Sequence, residues 1–147
     1  MPSPYESGHV NRVRLPPILG AIASVTYAVL VVIPYLVVPS NRAGALGAYY
    51  GFGPLGPPFL ALVALVGAIA FAGGATGRTD PSTAAGASIA AAVVVVAFSV
   101  VWAVSVDLGA LPVVPVDWID LHRFVVPVVA AIPVVAGAWY ARALGLF

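Results

Sequence analysis

Cysteine, lysine and glutamine are all missing from this chain. Without cysteine there is no disulfide, no thiolate metal site, no Cys-x-x-Cys-His haem attachment and no thiol nucleophile. Without lysine, the six basic residues are all arginine: Arg12, Arg14, Arg42, Arg78, Arg123 and Arg142. They are scattered, so they build no basic patch, and no nucleic-acid partner is expected. Charge of either sign is scarce, at 7% of the 147 residues. Soluble domains carry roughly 25%. A water-exposed surface cannot be assembled from that supply.

The rest of the chain is apolar: 62% hydrophobic, with a mean hydropathy of +1.08. No Asp, Glu, Lys or Arg occurs in residues 15–41, 43–77, 81–106 or 124–141. A helix needs roughly 20 apolar residues to cross a hydrocarbon core of about 30 Å, and each tract holds that length. The expected fold is therefore all-α, an integral membrane four-helix transmembrane bundle. Its helices are expected at about 15–38, 59–77, 84–106 and 118–144. Together they make one transmembrane domain over 15–147, after a short polar N-terminal tail at 1–14. The expected setting is the lipid bilayer of the cell membrane, crossed several times.

Local signals place the boundaries. Pro16 and Pro17 suit the first turn of a helix, where a missing N–H costs nothing, and Pro34 is expected to kink that helix near its end. Arg12 and Arg14 before an apolar run look like a secretory signal. The run is too long for a signal's core of about 7–15 residues, and no clean small-x-small cleavage site follows, so it reads as a retained anchor. Residues 39–58 read as a connection rich in Gly, Pro and Tyr. Inside it, Gly51-Phe52-Gly53-Pro54-Leu55-Gly56 spells a literal G-x-G-x-x-G. A dinucleotide loop needs a strand before it and a helix opening at the phosphates. Here Pro54 interrupts and spans flank it, so it reads as a turn.

Gly73 to Gly77 offer a C-terminal cap, and Asp80 or Ser82 an N-terminal one. The four valines at 93–96 would suit a strand in water. In hydrocarbon an unpaired strand leaves its backbone unsatisfied, so helix is expected. The bias toward Ala, Val, Gly and Pro, with lysine and glutamine gone, resembles small four-helix integral membrane proteins of halophilic archaea, many of them uncharacterised. The resemblance covers the whole chain in composition and layout. It implies a multi-pass membrane protein and carries over no active residue.

Four spans put both termini on one side, with Arg12, Arg14, Arg78 and Arg142; Arg42 and Arg123 fall on the other. Arginine-rich short loops face the cytoplasm, so both termini are expected there. Tyr49, Tyr50, Trp102 and Trp118 are expected at the outer interface, and Trp139 and Tyr140 at the inner one.

Polar chemistry concentrates in one place: Asp107, Asp117, Asp120, His122 and Arg123. Asp117 and Asp120 suit the acid-favouring start of the last helix. Asp107 is expected to pair with Arg123 across the junction of helices three and four, with Asp120 alongside at i,i+3. The alternative is a functional cluster that binds a cation or relays a proton. His9 and His122 fall on opposite sides, which excludes intramolecular bis-histidine haem. Zinc would want more ligands than the chain collects. No metal, cofactor or nucleotide is therefore expected.

Ser24, Thr26 and Tyr27, with Ser88, Ser99 and Ser105, are the polar groups inside the spans, and since a Ser or Thr hydroxyl can bond its own helix's preceding carbonyl, none compels a partner. For Ser24, Thr26 and Tyr27 interhelical hydrogen bonding is expected ahead of a polar crevice. No serine has a legible histidine and carboxylate around it, so nucleophilic hydrolysis is unsupported. Small residues repeat at four: Gly20 and Ser24, Gly73 and Gly77, Gly86 and Ala90, and Gly137, Ala141 and Gly145. Each set lets a neighbouring backbone approach, and the last is expected to face a partner chain. These features favour a structural or accessory subunit, acting through helix packing in a homo-oligomer or larger membrane complex. The alternative is a small transporter or channel component with an outer mouth of Asp107, Asp120, His122 and Arg123. An enzyme on lipid substrates ranks third, because acid–base work needs more positioned titratable groups.

Overall fold

A computed structural model describes residues 4–147, with side chains from Val13 onward. Its helices are α1 (Pro4–Val37), α2 (Ala43–Tyr50), α3 (Pro57–Ala75), α4 (Pro81–Ser105) and α5 (Ile119–Ala143), with single 3-10 turns at Ser40–Arg42 and Leu108–Ala110. No strand occurs among the described residues, and the four valines lie inside α4. Four stretches are long and apolar enough to cross a membrane: Val13–Val37, Pro57–Ala75, Pro81–Ser105 and Ile119–Ala143. They match the expected spans to within three residues at every end.

Two expectations need correction. First, the segment read as a polar tail is helical from Pro4, so Pro16 and Pro17 lie inside α1 and do not open it. Proline's fixed φ is itself helical. Both rings are among the most deeply buried side chains, so packing on the bundle holds the turn that two missing N–H groups weaken. Second, the connection after α1 contains a whole extra helix, α2. Its eight residues include two glycines and no charge. Its stability comes from one face, since Ala45, Leu46, Tyr49 and Tyr50 are all buried. The G-x-G-x-x-G stretch follows α2 as an irregular turn, with Gly53 at φ 76°.

The helix ends follow local rules. Asp80 caps α4 by accepting from the Thr83 N–H at 2.9 Å. At the end of α3, Gly77 takes φ 70°, a conformation that disfavours any residue with a Cβ. That lets Arg78 N–H reach the Gly73 carbonyl and Gly77 N–H reach that of Gly74, at 3.0 and 3.3 Å. This pair of bonds is the Schellman closure.

In the bundle, α1 packs against α3 and α5, and α4 packs against the same two. Thus α1 faces α4 across one diagonal and α3 faces α5 across the other. We call the end closed by α2 the capped end, and the end holding the α3–α4 turn and the C-terminus the tail end. Polar and apolar groups are distributed inside out. Leu36, Ile69, Val104, Val128 and Val135 are two-thirds or more exposed, whereas Ser24, Ser88, Ser99 and His122 are buried. Tyr27 and Ser99 meet on the α1–α4 diagonal, oxygen to oxygen at 2.9 Å.

The tail end packs by close approach. A Cβ at Gly20 would lie 2.5 Å from the Phe71 ring, and one at Gly74 would lie 2.8 Å from the Ala84 Cβ and 2.6 Å from the Tyr140 hydroxyl. Of the stripe expected to face a partner chain, Gly137 and Ala141 are buried within the chain, Gly137 against Ile89 and Phe71, while Gly145 has open space beside it. Gly86 has open space beside it, and Ala90 is likewise exposed.

Candidate functional site at the capped end

Pro34 determines what happens here. A helical N–H normally bonds the carbonyl four residues back, and proline has none to give. The carbonyl left without that donor is Leu30's. The Nε2 atom of His122, from α5, lies 3.2 Å from it. On the other side of the ring, Nδ1 lies 3.0 Å from the Tyr49 hydroxyl. That hydroxyl also lies 3.3 Å from the Ile119 carbonyl. One carbonyl further along α1, the Tyr50 hydroxyl donates to Val31 at 2.7 Å. Trp102 of α4 completes the set by donating its indole N–H to the Tyr49 carbonyl at 3.2 Å. Backbone carbonyls in the turn before a proline and four buried side chains thus fasten α2 onto the bundle.

Around His122 the walls are aromatic. Ring centroids of Trp118, Tyr49, Tyr50 and Trp102 lie 5.6, 6.0, 6.3 and 6.5 Å away. Tyr35 stacks on Tyr50 at 5.4 Å. Tyr49 and Trp102 are 0% exposed and Tyr50 4%, so these three are core residues and not the interfacial belt expected from the sequence. Trp118 and Trp139 remain on the surface, but Tyr140 is buried over Gly74. Burial pushes the phenols of Tyr49 and Tyr50 well above the usual phenol range, and Tyr50 is pushed further by Tyr49 beside it. Both therefore remain neutral hydrogen-bonding groups at physiological pH. A hollow of about 150 Å³, lined by Leu30, Ile33, Trp118, Leu121, His122 and Val125, borders the imidazole.

The charged residues divide. Arg123 pairs with Asp120 at 2.8 Å and donates to the Val106 carbonyl at the end of α4 at 2.9 Å. A cation at that helix end complements the dipole. Its guanidinium also sits 4.6 Å from the Phe124 ring centroid, and its Nε is buried without a partner. Asp107 does not take the expected pairing with Arg123; its carboxylate accepts from the Gly109 N–H at 2.9 Å. The physical reason is local: a two-residue reach to a turn N–H fixes Asp107 at little entropic cost, while Arg123 already has two oxygens. Asp117 is exposed. Arg42 donates to the Pro115 carbonyl at 3.3 Å, tying α2's start to the α4–α5 connection. Asp107 and Asp120 thus stand at the surface and Arg123 is half-buried, while His122 turns inward to Tyr49.

Among the described residues no three His, Asp or Glu converge as metal ligands. Both nitrogens of His122 are engaged, and the His9 side chain lies outside the described residues. Two buried serines bond their own helices: Ser24 to the Gly20 carbonyl and Ser88 to that of Ala85, at 2.9 and 3.1 Å. A second hollow of about 730 Å³ lies on the outer face between α1 and α3, with Ile22, Val25, Leu65 and Ile69 in its walls.

Residues 10–145 match the family of unknown function DUF7548, and the chain belongs to that family. No curated protein and no solved structure matches it.

Proposed function

We propose that this DUF7548 member is a multi-pass protein of the cell membrane, a structural or accessory subunit that works through helix packing and without catalysis. The observation that carries the reading is the use made of buried polarity. Ser24, Tyr27, Ser88, Ser99 and His122 each have a partner inside the chain, while the exterior is apolar. Apolar surface on this scale suits lipid and other helices, not water. A pathway for solutes needs polar groups left over to line it, and Arg123 bonds Asp120 and a carbonyl instead. The partners in this reading are the bilayer and either further copies of the chain or a larger membrane complex. Both termini are cytoplasmic, because Arg14, Arg78 and Arg142 gather at the tail end.

Purification from native membrane under mild detergent, with identification of every co-purifying chain, tests this. Stoichiometric recovery with itself or with other membrane proteins is expected. The second reading is a transporter or channel component, favoured by His122 as an ionisable side chain inside a span. Monomeric protein that conducts ions or solutes in liposomes, with flux lost in His122→Phe, would favour that reading and defeat the first. Orientation is tested separately. The cysteine-free chain accepts single reporters, and Ser3→Cys and Leu146→Cys should stay unlabelled by an impermeant maleimide in intact cells.

A further inference from the structure

The two nitrogens of His122 are not equivalent. A carbonyl oxygen only accepts, so the 3.2 Å contact with Leu30 requires Nε2 to carry hydrogen. In the neutral ring Nδ1 is then bare, and the Tyr49 hydroxyl donates to it across 3.0 Å. The same hydroxyl has a second acceptor within reach, the Ile119 carbonyl at 3.3 Å. That oxygen gives the phenol hydrogen somewhere else to go.

We propose that His122 is a proton-binding site built into the capped end of the bundle, with Tyr49 as the group that adjusts to its charge. A proton from water adds to Nδ1, and the phenol hydrogen turns from Nδ1 to the Ile119 carbonyl. The new Nδ1–H then donates to the Tyr49 oxygen. One proton enters, no bond between heavy atoms forms or breaks, and every donor keeps an acceptor. The cap α2 stays fastened in both states, through Tyr50 to Val31 and Trp102 to Tyr49. The inference does not depend on what the bundle assembles with.

The surroundings suit a cation. Four aromatic rings stand with centroids 5.6–6.5 Å from the imidazole. An aromatic ring attracts a positive charge within about 6 Å of its centroid, a distance that Trp118 and Tyr49 meet. From α1 come the Leu30 and Val31 carbonyls and the Tyr27 and Tyr35 phenols, with Tyr27 bonded to Ser99. From α2 come Tyr49 and Tyr50, preceded by Arg42, which is bonded to Pro115. Neither α3 nor α4 carries a charged residue. On α5 itself the neighbouring charges, Asp120 and Arg123, neutralise each other. The hollow lined by Leu30, Trp118 and Leu121 leaves space beside the ring.

The test uses the full chain with His9→Asn, so that His122 is its only histidine. With ¹⁵N-labelled histidine in phosphatidylcholine nanodiscs, NMR reads both nitrogens directly. At alkaline pH, Nε2 should carry the hydrogen and Nδ1 none. On acidification Nδ1 should gain one reversibly, while the Trp102 indole N–H signal stays in place. A neutral ring protonated at Nδ1 overturns the proposal, and so does an Nδ1 that remains bare until the Trp102 signal is lost with the fold. Tyr49→Phe removes the acceptor for the new N–H. Its midpoint should fall by about one pH unit, the size of one charge-assisted hydrogen bond. An unmoved midpoint also overturns the proposal, and if that variant fails to fold, the tautomer in the His9→Asn chain decides.

Discussion

The two ends of the bundle are held by different physics. At the capped end, direction matters: Trp102 bonds Tyr49, Tyr49 meets His122, and His122 meets Leu30, across sequence separations of 53, 73 and 92 residues. At the tail end, shape matters: Phe71 fills the space that Gly20 leaves, and Tyr140 lies over Gly74. Hydrogen bonds specify an orientation, whereas close packing specifies a volume. A substitution that preserves volume should therefore pass at the tail end and fail at the capped end.

The largest expected effect tests the capped end. Trp102→Ala removes the indole bond and the ring contacts to Tyr49 and Tyr50, and should cost about 3–5 kcal/mol in unfolding from mixed micelles. Trp102→Phe restores most of the volume. A residual loss of about 1 kcal/mol identifies the bond, and full recovery would show that volume governs this end too. The tail end comes next. Gly74→Val drives a side chain into Ala84 and Tyr140 and should cost up to about 3 kcal/mol. Gly86→Val, beside open space, should cost far less. Equal costs would show that close approach does not govern the tail end.

A smaller effect isolates the proline. His122→Phe leaves the Leu30 carbonyl without its donor and should cost about 2 kcal/mol. In a Pro34→Ala background that cost should shrink, because residue 34 then offers its own N–H to Leu30. Additive losses in the double mutant would break the link between the two residues. The smallest effect lies at the tail end, where the Ser82 hydroxyl, and then the Thr83 N–H, hold the Asp80 carboxyl below the usual carboxylate range. A depressed folded value stabilises above the ordinary value, and the contribution is lost as pH falls through that range toward the folded one. Asp80→Ala should flatten that acid limb of the unfolding profile, and an unchanged limb would mean that the cap contributes nothing.

The four long helices were legible because each is an uninterrupted apolar tract, a property of consecutive residues. The helix α2 was not. Eight residues with Gly44 and Gly47 give no usable period, and what stabilises them is contact with Trp102 and His122, far along the chain. The same limit applies to the site. The sequence singled out His122, Asp120 and Arg123, and the last two do pair. It placed Tyr49, Tyr50 and Trp102 at an interface, since aromatic residues near a span's end carry the same signature whether they face lipid or core. Pro34 announced a kink. That its orphaned carbonyl meets an imidazole 92 residues away depends on how the helices pack, which no local spacing encodes.

That separation also bears on how the chain is made. In a bilayer, helices enter in order of synthesis and associate afterwards. The first helix would enter with the Leu30 carbonyl lacking its usual donor, and the histidine that meets it arrives only with the last. Of the four long helices, α1 is thus made before the others and completed only by α5. A chain that stops before residue 122 would leave the Leu30 carbonyl without the donor that meets it in the complete bundle.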